Sequence, residues 1–220
     1  MFPAFDHILI EVADLEAATD EYSTLLPDPV AGSFRLGNVS VQLSQVDGLD
    51  APRIARLALL DPGLARGTSA PLGGGAQGIP LSRAHSRQPQ YHEPSTTSGI
   101  YAVDHLVLQS GDPDACIELF RDQLGLRLAL DQEVPEWGGR MLFFRHGKMT
   151  LEVIHNPGQP PARDFFWGIT YLCHDIDETL ATLGEAGVEH SPVRKGRKPG
   201  TRVSTIKSHC LGLPTLLISQ

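Results

Sequence analysis

Residues 103–114 read VDHLVLQSGDPD, and residues 5–14 read FDHILIEVAD. Each stretch holds an Asp-His pair, then three apolar residues, then an Asp seven positions after the His. His7 and His105 therefore occupy the same place in two copies of one unit. A repeat of this kind decides the architecture, so it is read before any single motif. Period-two alternation and β-branching predict a strand in each copy. In VDHLVL the alternation sets His105 and Val107 on one face and Asp104, Leu106 and Leu108 on the other.

Working outward, Asp14 is placed to cap a helix whose apolar residues Leu15, Ala18, Tyr22 and Leu25 recur at three- and four-residue steps. Pro27 to Pro29 end it, and SFRLGN and VSVQLSQV follow as two strands around a Gly37-Asn38 turn. In the second clear copy Asp112 takes the cap and Pro113 the first helical position. Ile117, Leu119, Phe120 and Leu124 form the buried stripe, and Gly125 stops the helix. The strands LRLALDQEV, RMLFFRHG and KMTLEVIH come next, with a hairpin at Glu136-Trp137-Gly138-Gly139.

A further copy starts at WGITYLCHDID, with Asp175 as cap, ETLATLGEAG as helix, and VEHSPVRK, TRVSTIKS and PTLLIS as strands. Residues 53–86 read as an eroded copy. RIARLALL is its strand and Asp61 its cap, but its helix is reduced to a few residues and two short strands follow in a Gly-rich setting. The chain thus divides into an N-terminal pair of units at 1–86, a polar linker at 87–99 and a C-terminal pair at 100–220. The fold class is α+β: tandem βαβββ modules forming curved mixed sheets around a cleft, with helices outside.

The composition is that of an ordinary soluble globular chain: 41% hydrophobic, 20% charged and net −8 over 220 residues. The negative balance argues against a nucleic-acid surface. The N-terminus has no basic start and no long apolar run, so neither a signal peptide nor a membrane span is expected. Three cysteines without metal spacing point to reduced thiols and a cytoplasmic location. No GxSxG, CxxC or phosphate-loop pattern is present, which removes support for nucleophilic hydrolysis and nucleotide chemistry.

This pattern of units resembles the vicinal oxygen chelate superfamily, the glyoxalase/bleomycin-resistance/extradiol-dioxygenase group, over nearly the whole chain. It is most specific over VDHLVLQSGDPDACIELFRDQLGLRL with KMTLEVIH. The resemblance implies metal ligands from the first strand, usually His, and the last strand, usually Glu. Those positions fall on His7, Gln42, His105 and Glu152, a His-Gln-His-Glu set similar to that of epimerase- and glyoxalase-like members. A divalent ion such as Zn, Ni, Fe or Mn would suit it. Counting back from the caps puts Ile54 and Gly168 at the first-strand position of the other two units, and their last-strand positions fall on Ser82 and Leu216. None of these is a good ligand, so either the first and third units share a cleft or each cleft is a half-site.

The expected function is a glyoxalase-like lyase or isomerase acting on a small oxygenated metabolite through an enediolate. Glu152 would serve as metal ligand or, if burial raises its pKa, as general base. Two alternatives stand beside it: a metal-free binding protein of the bleomycin-resistance type, and an extradiol-type dioxygenase, whose ligand positions here are filled by Gly168 and Leu216. RKGRKPGTR concentrates Arg194, Lys195, Arg197, Lys198 and Arg202 in nine residues. Arg194, Arg197 and Arg202 could receive a substrate anion, and Trp137 could wall an apolar pocket. The expected partners are a small-molecule substrate or ligand and, as one assembly, a second copy in a homodimer.

Overall fold

A computed structural model describes residue 2 and residues 4–30, 32–72, 78–86, 98–134 and 139–220. The repeat governs what forms. Among the described residues, the first six strands make one sheet and the last eight make a second.

In the second sheet β7 (Ile100–Gln109), β8 (Arg127–Val134), β9 (Gly139–His146) and β10 (Met149–His155) form one complete unit. β11 (Phe165–Cys173), β12 (Arg194–Lys195), β13 (Arg202–Ile206) and β14 (Thr215–Ser219) form the next. Within each unit the first and last strands run parallel, β7 beside β10 and β11 beside β14. The two units join through the antiparallel pair β7–β11.

The first sheet repeats this scheme with parts missing. β1 (Phe5–Val12), β2 (Ser33–Arg35) and β3 (Ser40–Gln45) meet β4 (Arg53–Leu60), β5 (Thr68–Pro71) and β6 (Leu81–His85) through the antiparallel pair β1–β4. The first unit therefore pairs with the second and the third with the fourth. The first half is shorter than the βαβββ pair expected from the repeat: its first unit has two strands after the helix, and its second has a turn where a helix would stand. The strand expected over residues 188–195 shrinks to Arg194–Lys195, because Pro192 has no N–H to give a ladder.

Three caps expected from sequence accept backbone N–H groups. Asp14 takes Ala17 N at the start of α1 (Leu15–Ser23), and Asp112 takes Ala115 N at α2 (Pro113–Ile117). Asp175 takes Asp177 N and Glu178 N at α3 (Ile176–Glu185). α2 runs on as a π-helical segment, Glu118–Gln123, and ends before Gly125, whose φ of 76° suits a residue without a Cβ.

α2 packs on β10, and α3 on β13 and β14. The strand face turned away from His105 is apolar: Leu106, Leu108, Leu151 and Val153 are fully buried. The three cysteines are free and buried. No helix among the described residues is long and apolar enough to cross a membrane.

One hydrophobic core runs through both halves, and a few buried polar contacts fix their register. Asn38, in the β2–β3 turn, accepts from Val103 N at 3.0 Å and donates to Val103 O at 2.6 Å. The Tyr22 and Tyr171 hydroxyls, both fully buried, meet at 2.5 Å. Burial pushes the Tyr22 phenol well above its usual value of 10.0. A buried hydroxyl left alone loses about 1–3 kcal/mol, whereas removing both partners of a pair is nearly neutral. Tyr22→Phe should therefore cost about 1–3 kcal/mol in urea unfolding, and adding Tyr171→Phe should recover most of that loss.

Candidate functional site

Strict alternation sets Asp104 and His105 on opposite faces, yet Asp104 Oδ2 lies 2.7 Å from His105 Nδ1. A β-bulge reconciles the two. Across β7–β11, Val103 faces Tyr171 and His105 faces Thr170, so Asp104 is the extra residue. Bulges bend a strand and re-aim its side chains, and here the bulge turns a carboxylate toward the neighbouring ring. The first sheet repeats the device: Phe5 faces Leu59, His7 faces Ala58, and the extra residue Asp6 meets His7 Nδ1 at 2.8 Å.

Because an ionised carboxylate only accepts, each Asp assigns the Nδ1 proton and leaves Nε2 for the open side of the sheet. The Asp6 carboxyl is buried, which by itself raises its pKa. Bonds from His7 and Ser86 outweigh burial and hold it below its ordinary value.

At the second sheet Nε2 of His105 meets two groups. Glu152 Oε2 is 3.3 Å away and Thr170 Oγ1 is 2.9 Å away. Parallel pairing sets Thr150 opposite His105 and Glu152 opposite Val107, which brings His105 and Glu152 onto one face two residues apart. Burial is the main cause that raises the Glu152 pKa; His105 and Arg197 pull it back down, and Asp104 raises it further. The Glu152 side chain is only 8% exposed, but His105 keeps 19% of its own, so solvent reaches the pair. With Nδ1–H held by Asp104, a single proton can sit on Glu152 or on His105 Nε2.

The bulges also mark the equivalent positions on the partner strands. Trp167 is the extra residue of β11, so Gly168 stands where His105 stands on β7. A Cβ on Gly168 would lie 2.7 Å from the Pro214 carbonyl oxygen, so close backbone approach excludes a side chain there. Ala55 is the extra residue of β4, so the counterpart of His7 is Arg56. The expectation of Ile54 is corrected: Ile54 is a core residue, and a count from Asp61 misses both the bulge and the missing helix. Ser82 and Leu216, expected at the last-strand positions, do pair with Ala58 and Thr170.

His7, Gln42, Arg56 and Ser82 thus share one sheet, and His105, Glu152, Gly168 and Leu216 the other. The four metal ligands suggested by the resemblance are divided, two to each sheet. Among the described residues no group of three or more His, Cys, Asp and Glu side chains could hold a metal. Protein zinc sites use three or four protein ligands. The residues present do not fit that donor set.

The three arginines expected to bind substrate part company. Arg197 acts electrostatically on Glu152, Arg194 is exposed on edge strand β12, and Arg202 is held in a two-bond ion pair by Asp177 of α3 at 2.6 and 2.9 Å. Trp137 and the hairpin expected around it lie outside the described residues, except for Gly139 at the start of β9. Phe165 and Trp167 are each 45% exposed. Sequence reasoning missed Thr170, Arg56 and His85, which no motif marks.

Residues 102–210 match the family described as the Glyoxalase/Bleomycin resistance protein/Dioxygenase superfamily. That half of the chain belongs to this superfamily. Among solved structures, methylmalonyl-CoA epimerase from Mycobacterium tuberculosis is 18% identical with a TM-score of 0.48, covering 56% of this chain and 91% of its own. Streptomyces coelicolor methylmalonyl-CoA epimerase in complex with 2-nitronate-propionyl-CoA is also 18% identical, with a TM-score of 0.46 and coverages of 55% and 98%. A hypothetical protein from Bacillus halodurans gives 16% identity and a TM-score of 0.46, over 54% of this chain and 93% of that one. No curated protein matches the chain.

A carboxyl whose pKa is raised on folding contributes stability that is complete below its ordinary value of 4.5 and is lost as pH climbs through the raised value. Glu152→Gln should therefore gain thermal stability relative to the native protein as pH rises above 4.5, with the difference vanishing below it. Melting curves across pH measure this.

Proposed function

We propose that the second half of the chain catalyses proton transfer at a carbon beside a carbonyl, as an isomerase or lyase of a small oxygenated metabolite, with Glu152 as general base. One observation carries the reading: a nearly buried carboxyl of raised pKa faces an imidazole whose other nitrogen is already committed to Asp104. Burial makes Glu152 a stronger proton acceptor than an exposed glutamate, and the ideal base titrates near the working pH.

The steps use residues of this chain alone. Glu152 takes the substrate proton, and the electron pair moves onto the carbonyl oxygen as an enolate. Arg197, whose positive charge reaches Glu152, stabilises that developing negative charge. The proton passes to His105 Nε2, the nitrogen that Thr170 Oγ1 also meets, while Asp104 holds the ring from its other side at Nδ1. Return of that proton from His105 or Glu152, on the same side, to the former carbonyl carbon of an enediol completes an isomerisation; loss of a group from the next carbon completes an elimination. Arg197 replaces the electrostatic role expected of a metal.

Small 2-oxo and 2-hydroxy acids, thioesters and hydroxyketones incubated with the protein in deuterium oxide test the reading by NMR. A substrate should exchange its α-hydrogen. Glu152→Gln should slow exchange roughly 10²–10⁴-fold, the range of a general base, and Arg197→Ala should slow it less. Exchange that proceeds unchanged in Glu152→Gln would exclude Glu152 as the base.

A further inference from the structure

The first sheet carries the same scaffold with opposite chemistry. Where the second sheet has Glu152 the first has Gln42, and where the second has Gly168 the first has Arg56. The change removes the one formal negative charge of the four positions and adds one positive charge. A cavity of about 300 Å³ opens at this point, lined by His7, Gln42, Arg56, Ser82 and His85 with Thr68 and Ser69 at its side. That volume is at the lower end of small-ligand sites. Although the chain holds 26 Asp and Glu residues, none of the described residues lining the cavity is acidic. No carboxylate among the described residues pairs with Arg56, while Arg53 and Arg83 of the same sheet are neutralised by Glu11 and Asp61.

Both imidazoles are oriented by their Nδ1 atoms. His7 Nδ1 is held by Asp6, and His85 Nδ1 lies 2.8 Å from the Leu64 carbonyl oxygen, which only accepts. The Nε2 atom of each neutral ring is therefore an acceptor. The cavity combines a guanidinium with hydroxyl and amide donors and with two ring acceptors.

We propose that this cavity is a second ligand site, distinct from the Glu152 face, for a small anion that carries a hydroxyl beside its charged oxygens. Arg56 takes the oxyanion, with Gln42 and the hydroxyls of Thr68, Ser69 and Ser82 as further donors, and the His7 and His85 Nε2 atoms accept the ligand's O–H. A 2-hydroxycarboxylate and a monoprotonated phosphate share this chemistry. A guanidinium beside His7 and Gln42 disfavours a divalent cation, so the site takes the opposite charge from the one its family position suggests. The assignment stands whether or not Glu152 is a base.

Titrations of the full chain with inorganic phosphate, lactate and propionate, followed through the ring signals of the histidines, test the proposal. Phosphate or lactate should shift His7 and His85 saturably and leave His105 unmoved; which of the two binds more tightly identifies the anion. Propionate, which lacks the hydroxyl, should bind about tenfold more weakly than lactate, and Arg56→Gln should weaken binding about tenfold or more. Gln42→Glu, which returns a carboxylate to the site, should abolish it in a folded protein. The proposal is overturned if neither phosphate nor lactate saturates at concentrations up to tens of millimolar, if Arg56→Gln binds as the native chain does, or if Zn²⁺ shifts His7 and His85 while the anions do not.

Discussion

The hydrogen bond between an aspartate and the histidine that follows it, made possible by one extra residue in a strand, governs everything on the open faces of this protein. Without the bulge, Asp104 would point toward the helices and compete with Leu106 and Leu108 for apolar space, at the cost of a buried, unpaired carboxylate. With it, the carboxylate becomes the orienting partner of the imidazole, and the free ring nitrogen is presented to the last strand of the unit. The same bond at Asp6 and His7 shows that the device belongs to the repeated unit.

The two sheets then illustrate how one scaffold diverges. Backbone register fixes four positions on each face, and side chains alone decide what those positions do. Glu152 beside His105 gives a pair able to pass a proton. Gln42 beside His7 cannot, because an amide neither takes nor gives a proton near neutral pH. Gly168 is dictated by the Pro214 carbonyl packed against it, so the second sheet has no room for a further functional side chain at that point. The first sheet has room at the same point and fills it with Arg56. Function on this fold follows from the site and not from the fold itself.

Much of this architecture was legible in the chain. The Asp-His repeat, the cap spacing of seven and the Gly stop at 125 located the units and their helices, because these features depend on local chemistry. His105 and Glu152 were legible as residues of one face because parity along a strand is fixed. The bulges were not, since an extra residue in a strand shows only against its partner. Two misplacements followed: Asp104 was read onto the wrong face, and the counterpart of His7 was read as Ile54 in place of Arg56. The engagement of Arg202 by Asp177 was equally hidden, for it depends on how α3 packs beside β13.

Nitrogen-15 NMR of the imidazole rings across the histidine titration range reports the pivotal bond directly. The account predicts that the neutral rings of His105 and His7 carry their proton on Nδ1, and that Asp104→Asn removes this preference at His105 alone. A neutral His105 ring that carries its proton on Nε2 and leaves Nδ1 bare would contradict it, and the proton path through Glu152 would fall with it.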